Sequence, residues 1–519
     1  MISIPLQALF IFVVGLVLFT MGLCHQEVIG FESRFYLFAL EMWRHGPTIF
    51  PTTYGMPYPD YPATGTFLIY LCSKVMGGLS KFSAVFPSAV ASAITLSTTY
   101  LIGALHSRRW GVSAALFLLF TATFLVAARS LSLDPYVAMI TTLSFYVIYS
   151  AHYLQKSSRI IWIFPLLILG FAFRGPLGLV IPTSVICVFY LLEKNIKQFF
   201  IIGSLAALLL ILCSASLLGL AYYEGGSLFL QDVVKMQVLG RMQHDEETLP
   251  FFFYFKESLG AYAVSFPLAI LVLMGVLFKR GTSKEKDLLF KLMGWALVIL
   301  IGLSIPSDKK IRYILPIAPA LALICGYLFT ISRDSRYLYI LRRVFYWFCL
   351  LFPLVCSIAI SVAHHHRQAD WNFSYPTALG VLLGLQVLML FVWRREILIL
   401  ALAAFAFFAS YVLVAEKINL DVNRTRDFVE QVEKLRYSQQ AELVFYNENM
   451  DGLAIKYLVY MSAIEEPDFV KDFSELKKSN KPVFLITREK YFDQIPQNKV
   501  RVILRGKVGH KSVVVFSVK

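Results

Sequence analysis

Charged residues are scarce in this chain, which has 519 residues, of which 16% are charged and 58% are hydrophobic. A typical soluble domain carries about a quarter charged residues, so this composition excludes an ordinary soluble globular protein. Apolar runs recur as far as about residue 415, and each is long enough to cross a hydrocarbon core of about 30 Å as a helix. We therefore predict a multi-span α-helical membrane protein with about 13 transmembrane helices.

The predicted spans follow one another closely, with two longer outer loops between them. Their expected extents are 6–24, 64–79, 83–105, 110–128, 134–153, 160–173, 176–192, 198–222, 258–278, 287–306, 313–332, 343–363, 375–393 and 396–415. The segment 64–79 is short and carries Lys74 and the pair Gly77-Gly78, so it either joins 83–105 in one span or lies at the membrane interface. The expected number of crossings is therefore one lower than the number of segments.

Acidic residues are also few: the chain has 33 acidic and 48 basic residues, which gives a net charge of +15. Much of the excess lies in short loops at alternate ends of the predicted spans, including Arg108-Arg109, Lys279-Arg280 and Arg394-Arg395. Basic residues in short loops favour the cytoplasm, so membrane topology explains the charge and nucleic acid is not an expected partner. The acidic residues collect on the opposite, outer side, where about thirteen spans also place the C-terminus.

Recognisable cofactor motifs are missing from the last hundred or so residues, where charges become frequent. Short β-branched runs such as KPVFLITRE and SVVVFSV accompany a helical segment, TRDFVEQVEKLRY, and predict a small α/β domain. This segment has no Gly-rich phosphate loop, nucleophile elbow or metal-ligand cluster, so we expect it to be structural or to face the acceptor rather than to be catalytic. We predict a transmembrane part, 1–415, with outer loops at 25–63 and 223–257, and an extracytoplasmic domain, 416–519.

The first outer loop concentrates polar side chains beside the membrane, where an ionisable group is costly unless it is solvated or paired. Glu32 and Arg34 stand at the start of SRFYLFALEMWRHG, whose apolar spacing predicts a helix lying on the membrane surface. In GMPYPDYP, prolines stiffen the chain and hold Tyr58 and Asp60 in place. An acid at the start of a helix also complements the helix dipole, which is the non-catalytic alternative for Glu32.

Two later turns place charged residues on the same outer side. In RSLSLDP these residues are Arg129 and Asp134, although Asp134 before Pro135 also fits a helix N-cap. In FAFRGPLG, Arg174 lies in a tight turn between two short hydrophobic segments. Charged residues at these positions indicate a functional site on the outer face.

Basic residues occur on the outer side in one further segment, SDKKIRYILP, against the trend that places them inside. They are Lys309, Lys310 and Arg312. This placement indicates an anionic ligand, such as a lipid phosphate.

The order of these motifs resembles that of a known family. The chain carries ESRF and EM in the first loop, then YPDYP, RSLSLD, RGP and RYILP. This ordered set is similar to that of membrane glycosyltransferases of the GT-C type, in the ArnT/PMT-like group that contains lipid A aminoarabinose transferase and relatives of the protein O-mannosyltransferases. The resemblance covers the chain from about residue 6 to about residue 415, and it implies the GT-C fold.

The resemblance implies an inverting glycosyltransferase of the bacterial inner membrane with a periplasmic C-terminal domain. The donor would be a hexose or pentose on a polyprenyl phosphate such as undecaprenyl phosphate. The acceptor would be lipid A or lipopolysaccharide, another glycan, or a protein. No nucleotide cofactor is expected, which agrees with the lack of a nucleotide-binding domain.

The resemblance also assigns roles to residues, motif by motif. Glu32 and Asp134 would be catalytic, one of them as a base or orienting group. The residues assigned to substrate binding are Arg34, Tyr58, Arg129, Arg174, Lys309, Lys310, Arg312 and Tyr313. Asp60 and His244 would hold a divalent metal.

The chain departs from the family pattern at two positions in the first loop. Phe31 stands where the first carboxylate of the loop is usual, so Glu32 alone remains. Tyr61 replaces a lysine, and the acid before it is shortened from Glu to Asp. These changes indicate a different sugar or acceptor, or an inactive member.

Two other functions fit parts of the sequence. A lipid or sugar transporter would show internal repeats and ionisable residues near the middle of its spans, and neither is evident. A surface-polysaccharide polymerase or ligase would use a similar donor, but its basic residues are expected in one long late outer loop. The run His364-His365-His366 could bind a metal, although a solvated patch is the simpler interpretation.

Overall fold

Apolar helices form most of the chain in the computed structural model, which describes residues 3–236, 249–277, 284–307, 309–330, 335–366, 374–449, 452–461, 467–476, 481–496, 498 and 500–518. The α-helices are α1 (Ile4–Thr20), α2 (Glu32–His45), α3 (Thr64–Val75), α4 (Lys81–Ala104), α5 (Arg108–Leu119), α6 (Ala122–Ala128), α7 (Asp134–Tyr153), α8 (Ile163–Leu192), α9 (Ile196–Val234), α10 (Phe253–Ala261), α11 (Ser265–Leu277), α12 (Lys284–Ser304), α13 (Ala318–Gly326), α14 (Arg336–His365), α15 (Tyr375–Phe391), α16 (Glu396–Ser410), α17 (Glu416–Val422), α18 (Thr425–Gln439), α19 (Leu453–Leu458) and α20 (Glu489–Phe492). The strands are β1 (Thr52–Thr53), β2 (Met56–Pro57), β3 (Glu442–Tyr446), β4 (Asp468–Val470), β5 (Val483–Arg488), β6 (Val500–Val508) and β7 (Lys511–Val518). Short connecting helices include the 3-10 helix Ile311–Ile317 and the π-helix Tyr411–Ala415.

Eight helical stretches of the described residues are long and apolar enough to cross a membrane, and two bent helix pairs raise the number to ten. The bent pairs are α5 with α6, at 76°, and α10 with α11, at 106°. This confirms the predicted multi-span α-helical membrane protein with a small C-terminal α/β domain. The predicted count of about thirteen is reached only if α7, α15 and both arms of α8 are counted as separate crossings.

The doubtful segment 64–79 contains α3, which has 12 residues. A helix of that length reaches about 18 Å, too short to cross the hydrocarbon core. It packs against α2 and α4. The segment therefore does not span the membrane alone, as both alternatives drawn from the sequence require.

Helix α4 lies at the centre of the bundle, as its burial shows: 72% of its most apolar 18-residue stretch is buried. It is rich in Ala, Ser and Thr, and small residues let membrane helices approach closely. At Gly103 an added Cβ would lie 2.8 Å from the backbone of Gly111 in α5. Helices α1, α5 and α7 all contact α4, so it fixes the arrangement of the helices around the site.

Helix α8 is a hairpin rather than one long helix. Its dihedral angles leave the helical region at Arg174 (φ −137°, ψ 20°) and Gly175 (φ 55°, ψ −144°). The backbones of Gly170 and Gly178 touch, since a Cβ on Gly170 would lie 2.2 Å from the Gly178 oxygen. In a straight helix these residues would be about 12 Å apart. The chain thus reverses at Arg174, as the tight turn predicted from FAFRGPLG requires.

The first outer loop is held by hydrogen bonds to a buried carboxylate on α2. Glu41 accepts hydrogen bonds from the backbone N–H groups of Tyr54, at 2.6 Å, and Gly55, at 3.3 Å. These residues form the turn between β1 and β2, an antiparallel pair. The hairpin is therefore fixed against α2, and the YPDYP segment that follows starts from a defined position.

The C-terminal part contains a five-stranded sheet with the order β4-β3-β5-β7-β6. Strand β3 runs parallel to β4 and β5, whereas β7 is antiparallel to both β5 and β6. Alternating side chains of the strands enter two separate apolar clusters, one on each face. Helices α18 and α19 cover one of these faces, since Phe428, Val432 and Tyr457 belong to the first cluster.

The sheet domain packs on the first outer loop through apolar contacts. Val28 and Leu37 form a buried cluster with Ile455 and Val459 of the domain. The Tyr460 hydroxyl donates a hydrogen bond to the Val28 carbonyl. The outer loop thus lies between the membrane helices and the C-terminal domain.

Replacing Gly175 by Ala should destabilise the protein by about 1–3 kcal/mol, because its positive φ disfavours any Cβ. That Cβ would also lie 2.5 Å from the Tyr61 ring. Thermal unfolding of the purified protein in detergent measures the effect as a lower Tm. The matched control is Gly219→Ala in α9, where an added Cβ meets nothing within 4 Å. Equal Tm values for the two variants would contradict the hairpin geometry.

Candidate functional site

Residues from seven separated stretches of the chain line one central cavity of about 680 Å³. It lies on the side of the helices that the sequence predicts to face outward. The lining residues are Arg34, Phe35, Asp60, Tyr61, Leu133, Arg174, Leu177, Met236, Tyr254, Leu303, Ile305, Pro306, Ser307, Lys310, Arg312 and Tyr313. The cavity thus combines an apolar wall with four basic side chains and one carboxylate among its described lining residues.

Asp134 lies beside the central cavity and binds two arginines of its lining. Its Oδ1 is 3.1 Å from an Nη of Arg174, and its Oδ2 is 3.4 Å from Nε of Arg312. The Ser132 hydroxyl donates a third interaction to Oδ2 at 2.8 Å. The Asp134 side chain is only 5% exposed, so a charged carboxylate there depends on these partners.

The alternative interpretation of Asp134 as a helix N-cap is wrong. Asp134 is the first residue of α7, Leu133 occupies the N-cap position without a capping side chain, and the Asp134 N–H donates to the Ser132 hydroxyl at 3.2 Å. The carboxylate is instead directed to the arginines of the cavity.

Aromatic rings support the arginines on the sides that Asp134 does not reach. The guanidinium carbon of Arg174 is 5.3 Å from the centre of the Tyr313 ring and 5.9 Å from that of Tyr61. The guanidinium of Arg312 lies 4.3 Å from the ring centre of Phe31. Such contacts are attractive and leave the positive charge in place. Phe31, at the position where the family usually has a carboxylate, therefore contacts Arg312 without neutralising its charge.

Arg34 enters the central cavity from the first turn of α2. Its guanidinium lies 5.5 Å from the ring centre of Tyr58, and that ring packs against Phe38. Tyr58 does not line the cavity itself. Its position indicates that it orients Arg34, and the substrate-binding role predicted for Tyr58 stays a prediction.

The neighbouring lysines 309 and 310 point in different directions. Lys310 lines the cavity, and its backbone N–H donates to the Tyr254 hydroxyl at 3.2 Å. Lys309 is 6% exposed, and its ammonium donates to the Leu249 carbonyl at 2.9 Å. The structure therefore places Lys309 outside the cavity, where it holds the segment before α10.

Glu32 does not line the central cavity. Its side chain is 3% exposed and forms an ion pair with the buried Lys81 of α4. It also accepts hydrogen bonds from the backbone N–H groups of Leu131, at 3.0 Å, and Ile29, at 3.1 Å. These partners fix the start of α2 against α4 and the RSLSLDP turn. The catalytic role predicted for Glu32 stays a prediction, and the geometry favours a positioning role.

Arg129 also lies outside the cavity lining. Its guanidinium forms a two-pronged ion pair with Glu416, with N–O distances of 2.6 and 2.9 Å. It also donates to carbonyl groups at the end of α1, those of Leu18, Phe19 and Met21. Arg129 thus joins α1 to the helix that leads into the C-terminal domain, which is a structural position rather than the predicted substrate contact.

The described residues do not assemble a metal site around Asp60. Asp60 lines the cavity with four basic side chains, which would repel a cation. No group of three or more His, Cys, Asp or Glu residues with suitable geometry occurs in the part of the chain that the structure describes. The predicted partner, His244, lies outside the described residues. We therefore derive no chemical step through a metal.

Sequence reasoning missed the partners that hold the site together. Lys81 is 49 residues from Glu32, and Glu416 is 287 residues from Arg129. A buried charge requires a partner, so the need for a cation near Glu32 was foreseeable. Its identity was not, because sequence spacing does not report contacts between distant helices.

Comparison with known proteins agrees with this fold. A family model described as dolichyl-phosphate-mannose-protein mannosyltransferase matches residues 60–218. The chain is 25% identical over 480 residues to an uncharacterized protein of Aquifex aeolicus, covering 90% of this chain and 88% of that protein.

Another relative is the undecaprenyl phosphate-alpha-4-amino-4-deoxy-L-arabinose arabinosyl transferase of Pectobacterium carotovorum. The identity is 25% over 343 residues, which is 64% of this chain and 60% of the relative. The match therefore spans less than two thirds of that transferase.

Among solved structures, ArnT from Cupriavidus metallidurans bound to undecaprenyl phosphate superposes with a TM-score of 0.74 at 14% identity. The superposition covers 98% of both chains, and at this identity it shows the shared fold. Together, the family match over residues 60–218, the relatives and the shared fold support a multi-pass glycosyltransferase of the bacterial inner membrane that is similar to the ArnT/PMT-like group of the GT-C type.

Proposed function

We propose that this glycosyltransferase moves a sugar from a polyprenyl phosphate carrier to an envelope acceptor, such as lipid A, another glycan or a protein, on the periplasmic side. The observation that carries the proposal is the central cavity, in which basic side chains face an apolar wall. A polyprenyl phosphate has the matching chemistry, an anionic head on a hydrocarbon chain. The solved relative bound to undecaprenyl phosphate supports the same donor class.

The apolar wall suits the first isoprene units of the carrier. Leu133, Leu177, Leu303, Ile305 and Pro306 form it, and Ile305 is 74% exposed. Burying such side chains against a lipid chain stabilises the complex by about 25 cal/mol per Å² of apolar surface removed from water. The wall thus orients the carrier so that its phosphate meets the basic side chains.

The basic side chains stabilise the leaving group. In the transfer step, an acceptor oxygen bonds to the anomeric carbon while the bond from that carbon to the phosphate oxygen breaks, and the electron pair leaves with the carrier phosphate. Negative charge grows on the phosphate, and preorganised cations lower the energy of that state. Arg174 and Arg312 are held for this task by Asp134, Phe31 and Tyr313.

Asp134 acts in this scheme as a positioning residue. Its carboxylate oxygens already bind two guanidinium groups and a hydroxyl, so they are not directed at a substrate proton. Asp60 is the carboxylate among the described lining residues and is therefore the proposed acceptor of a proton from a hydroxyl nucleophile. A phosphate acceptor is already ionised and would need no base.

Mass spectrometry of lipid A, surface glycans and envelope proteins tests the proposal. A strain that lacks this gene is compared with its parent and with the deletion strain complemented by the wild-type gene. We expect one envelope component to lose the mass of one sugar and to regain it on complementation. Identical sugar masses in all three strains, with expression of the protein confirmed in the parent, would refute the proposed transfer.

Arg312→Gln should lower kcat/KM for the polyprenyl donor about 10²-fold, because one preorganised cation at the leaving phosphate is lost. Arg312→Lys should lower the same kcat/KM about tenfold, since lysine keeps the charge but not the planar contact with Phe31. Transfer by purified protein in nanodiscs measures both effects. Arg44→Gln is the control, because Arg44 is exposed at the end of the same α2 helix and lies outside the cavity. Equal kcat/KM for all variants would exclude Arg312 from the donor site.

Asp60→Asn and Glu32→Gln should separate chemistry from positioning. With a hydroxyl acceptor, Asp60→Asn should lower kcat about 10²-fold or more and leave Tm unchanged. Glu32→Gln should lower stability by about 3–5 kcal/mol, because it leaves the Lys81 ammonium buried without its partner. Thermal unfolding and single-turnover transfer are measured on the same preparations.

The double variant Glu32→Gln/Lys81→Met is the control for that interpretation, since it removes both buried charges. Its Tm should return toward that of the wild type. A Glu32→Gln protein with the wild-type Tm and no transfer would instead restore Glu32 to the catalytic role predicted from the sequence.

A further inference from the structure

A second cavity, of about 300 Å³, lies between the first outer loop and the C-terminal domain. We call it the interdomain cleft. The domain contributes Gly452, Ile455 and Lys456 to its lining. Arg34, Lys310 and Arg312 line both the cleft and the central cavity, so these three cations form a shared wall between the two spaces.

The described lining of the interdomain cleft carries four cations and no carboxylate. This differs from the central cavity, where Asp60 contributes a negative charge. Like charges around a concave space raise its positive potential, and the walls focus the field. An anion that enters the cleft relieves this repulsion.

Lys456 is the distinctive residue of the cleft, because it comes from the C-terminal domain and is half-buried. It forms no hydrogen bond or ion pair with another residue in the described ranges. Burial, and secondarily the charge of Lys511, lower its pKa from the usual lysine value. A half-buried ammonium without a counter-ion is stabilised when an anion binds beside it.

The surroundings of Lys456 keep it at the cleft. Its neighbour Ile455 is buried against Leu37 of α2. Its ammonium packs on the turn between β6 and β7, 3.4 Å from where a Cβ of Gly509 would lie. The lysine is therefore positioned by both the loop and the sheet, so little conformational entropy remains to be lost when a ligand binds.

We propose that the interdomain cleft binds an oxyanion of the acceptor, a phosphate or a carboxylate, with Lys456 as the ligand supplied by the C-terminal domain. This proposal rests on the proposed transferase function, because it places the acceptor beside the donor phosphate in the central cavity. The shared wall of Arg34, Lys310 and Arg312 brings the two substrates to adjacent spaces, as transfer requires. An anionic membrane lipid carries the same chemistry and is the competing source of the oxyanion.

Amine footprinting tests the binding site without any transfer reaction. The full-length protein in phosphatidylcholine nanodiscs is acetylated with an N-hydroxysuccinimide ester, and modification of Lys456 is followed by mass spectrometry. Inorganic pyrophosphate should slow acetylation of Lys456 about fivefold, because it binds the Lys456 ammonium and shields it from the reagent. Undecaprenyl phosphate alone should change it less than about twofold, because it binds on the other side of the wall.

Exposed Lys471 of the same domain serves as the internal control and should react at one rate throughout. If undecaprenyl phosphate protected Lys456 as strongly as pyrophosphate does, the cleft would be part of the donor site and the proposal would be overturned. A lack of protection by pyrophosphate would also overturn it, as would protection seen only in phosphatidylglycerol nanodiscs, which would assign the cleft to a lipid headgroup.

Transfer kinetics then link the cleft to the acceptor. Lys456→Ala should raise KM for a phosphorylated or carboxylated acceptor about tenfold, leave KM for the donor unchanged, and be rescued in large part by Lys456→Arg. Lys471→Ala is the matched control. An unchanged acceptor KM in Lys456→Ala would overturn the acceptor assignment. If no variant, including the wild type, transfers sugar while pyrophosphate still protects Lys456, the proposed function fails and the oxyanion site stands.

Discussion

The carboxylate of Asp134 is the group on which the geometry of the site depends. It binds Arg174 from the turn of α8 and Arg312 from the 3-10 helix Ile311–Ile317, so it draws three segments to one point. Two guanidinium groups in a poorly solvated place would repel each other strongly. One carboxylate between them stabilises both and still leaves an excess of positive charge. That excess is available to an anionic substrate.

Aromatic rings hold the arginines without reducing the excess of positive charge, which further carboxylates would neutralise. Phe31, Tyr61 and Tyr313 each face a guanidinium of the cavity. A ring face orients an arginine through its quadrupole and carries no charge of its own. Phe31 in place of an acid therefore makes the site more cationic than the family pattern implies. Loss of activity is not a necessary consequence, because Asp60 still supplies a carboxylate to the cavity.

The sequence predicted the features that depend on composition and local pattern. The helical membrane part and the small α/β domain were foreseen, and Arg34, Asp60, Arg174 and Lys310 do meet in one cavity. The exceptions arise from long-range pairing, since Glu32 and Arg129 find buried partners in other helices. The position of Lys309 outside the cavity could not be predicted because the backbone there is irregular. No periodicity indicates which of two adjacent lysines before a 3-10 helix points inward.

The C-terminal domain is connected to the site through more than its surface contacts. Arg129 binds Glu416 at the start of α17, and Gln26 of the first loop donates to the same carboxylate. This buried pair lies near the end of the last membrane helix, before the C-terminal domain, so it ties the entry to the domain to the loop that carries Arg34. Because the domain packs against α2 as well, a change at either contact would shift one wall of the interdomain cleft without touching a cavity residue. The C-terminal domain thus forms one wall of the interdomain cleft, next to the central cavity, and is held there by contacts with both α2 and the end of the membrane part.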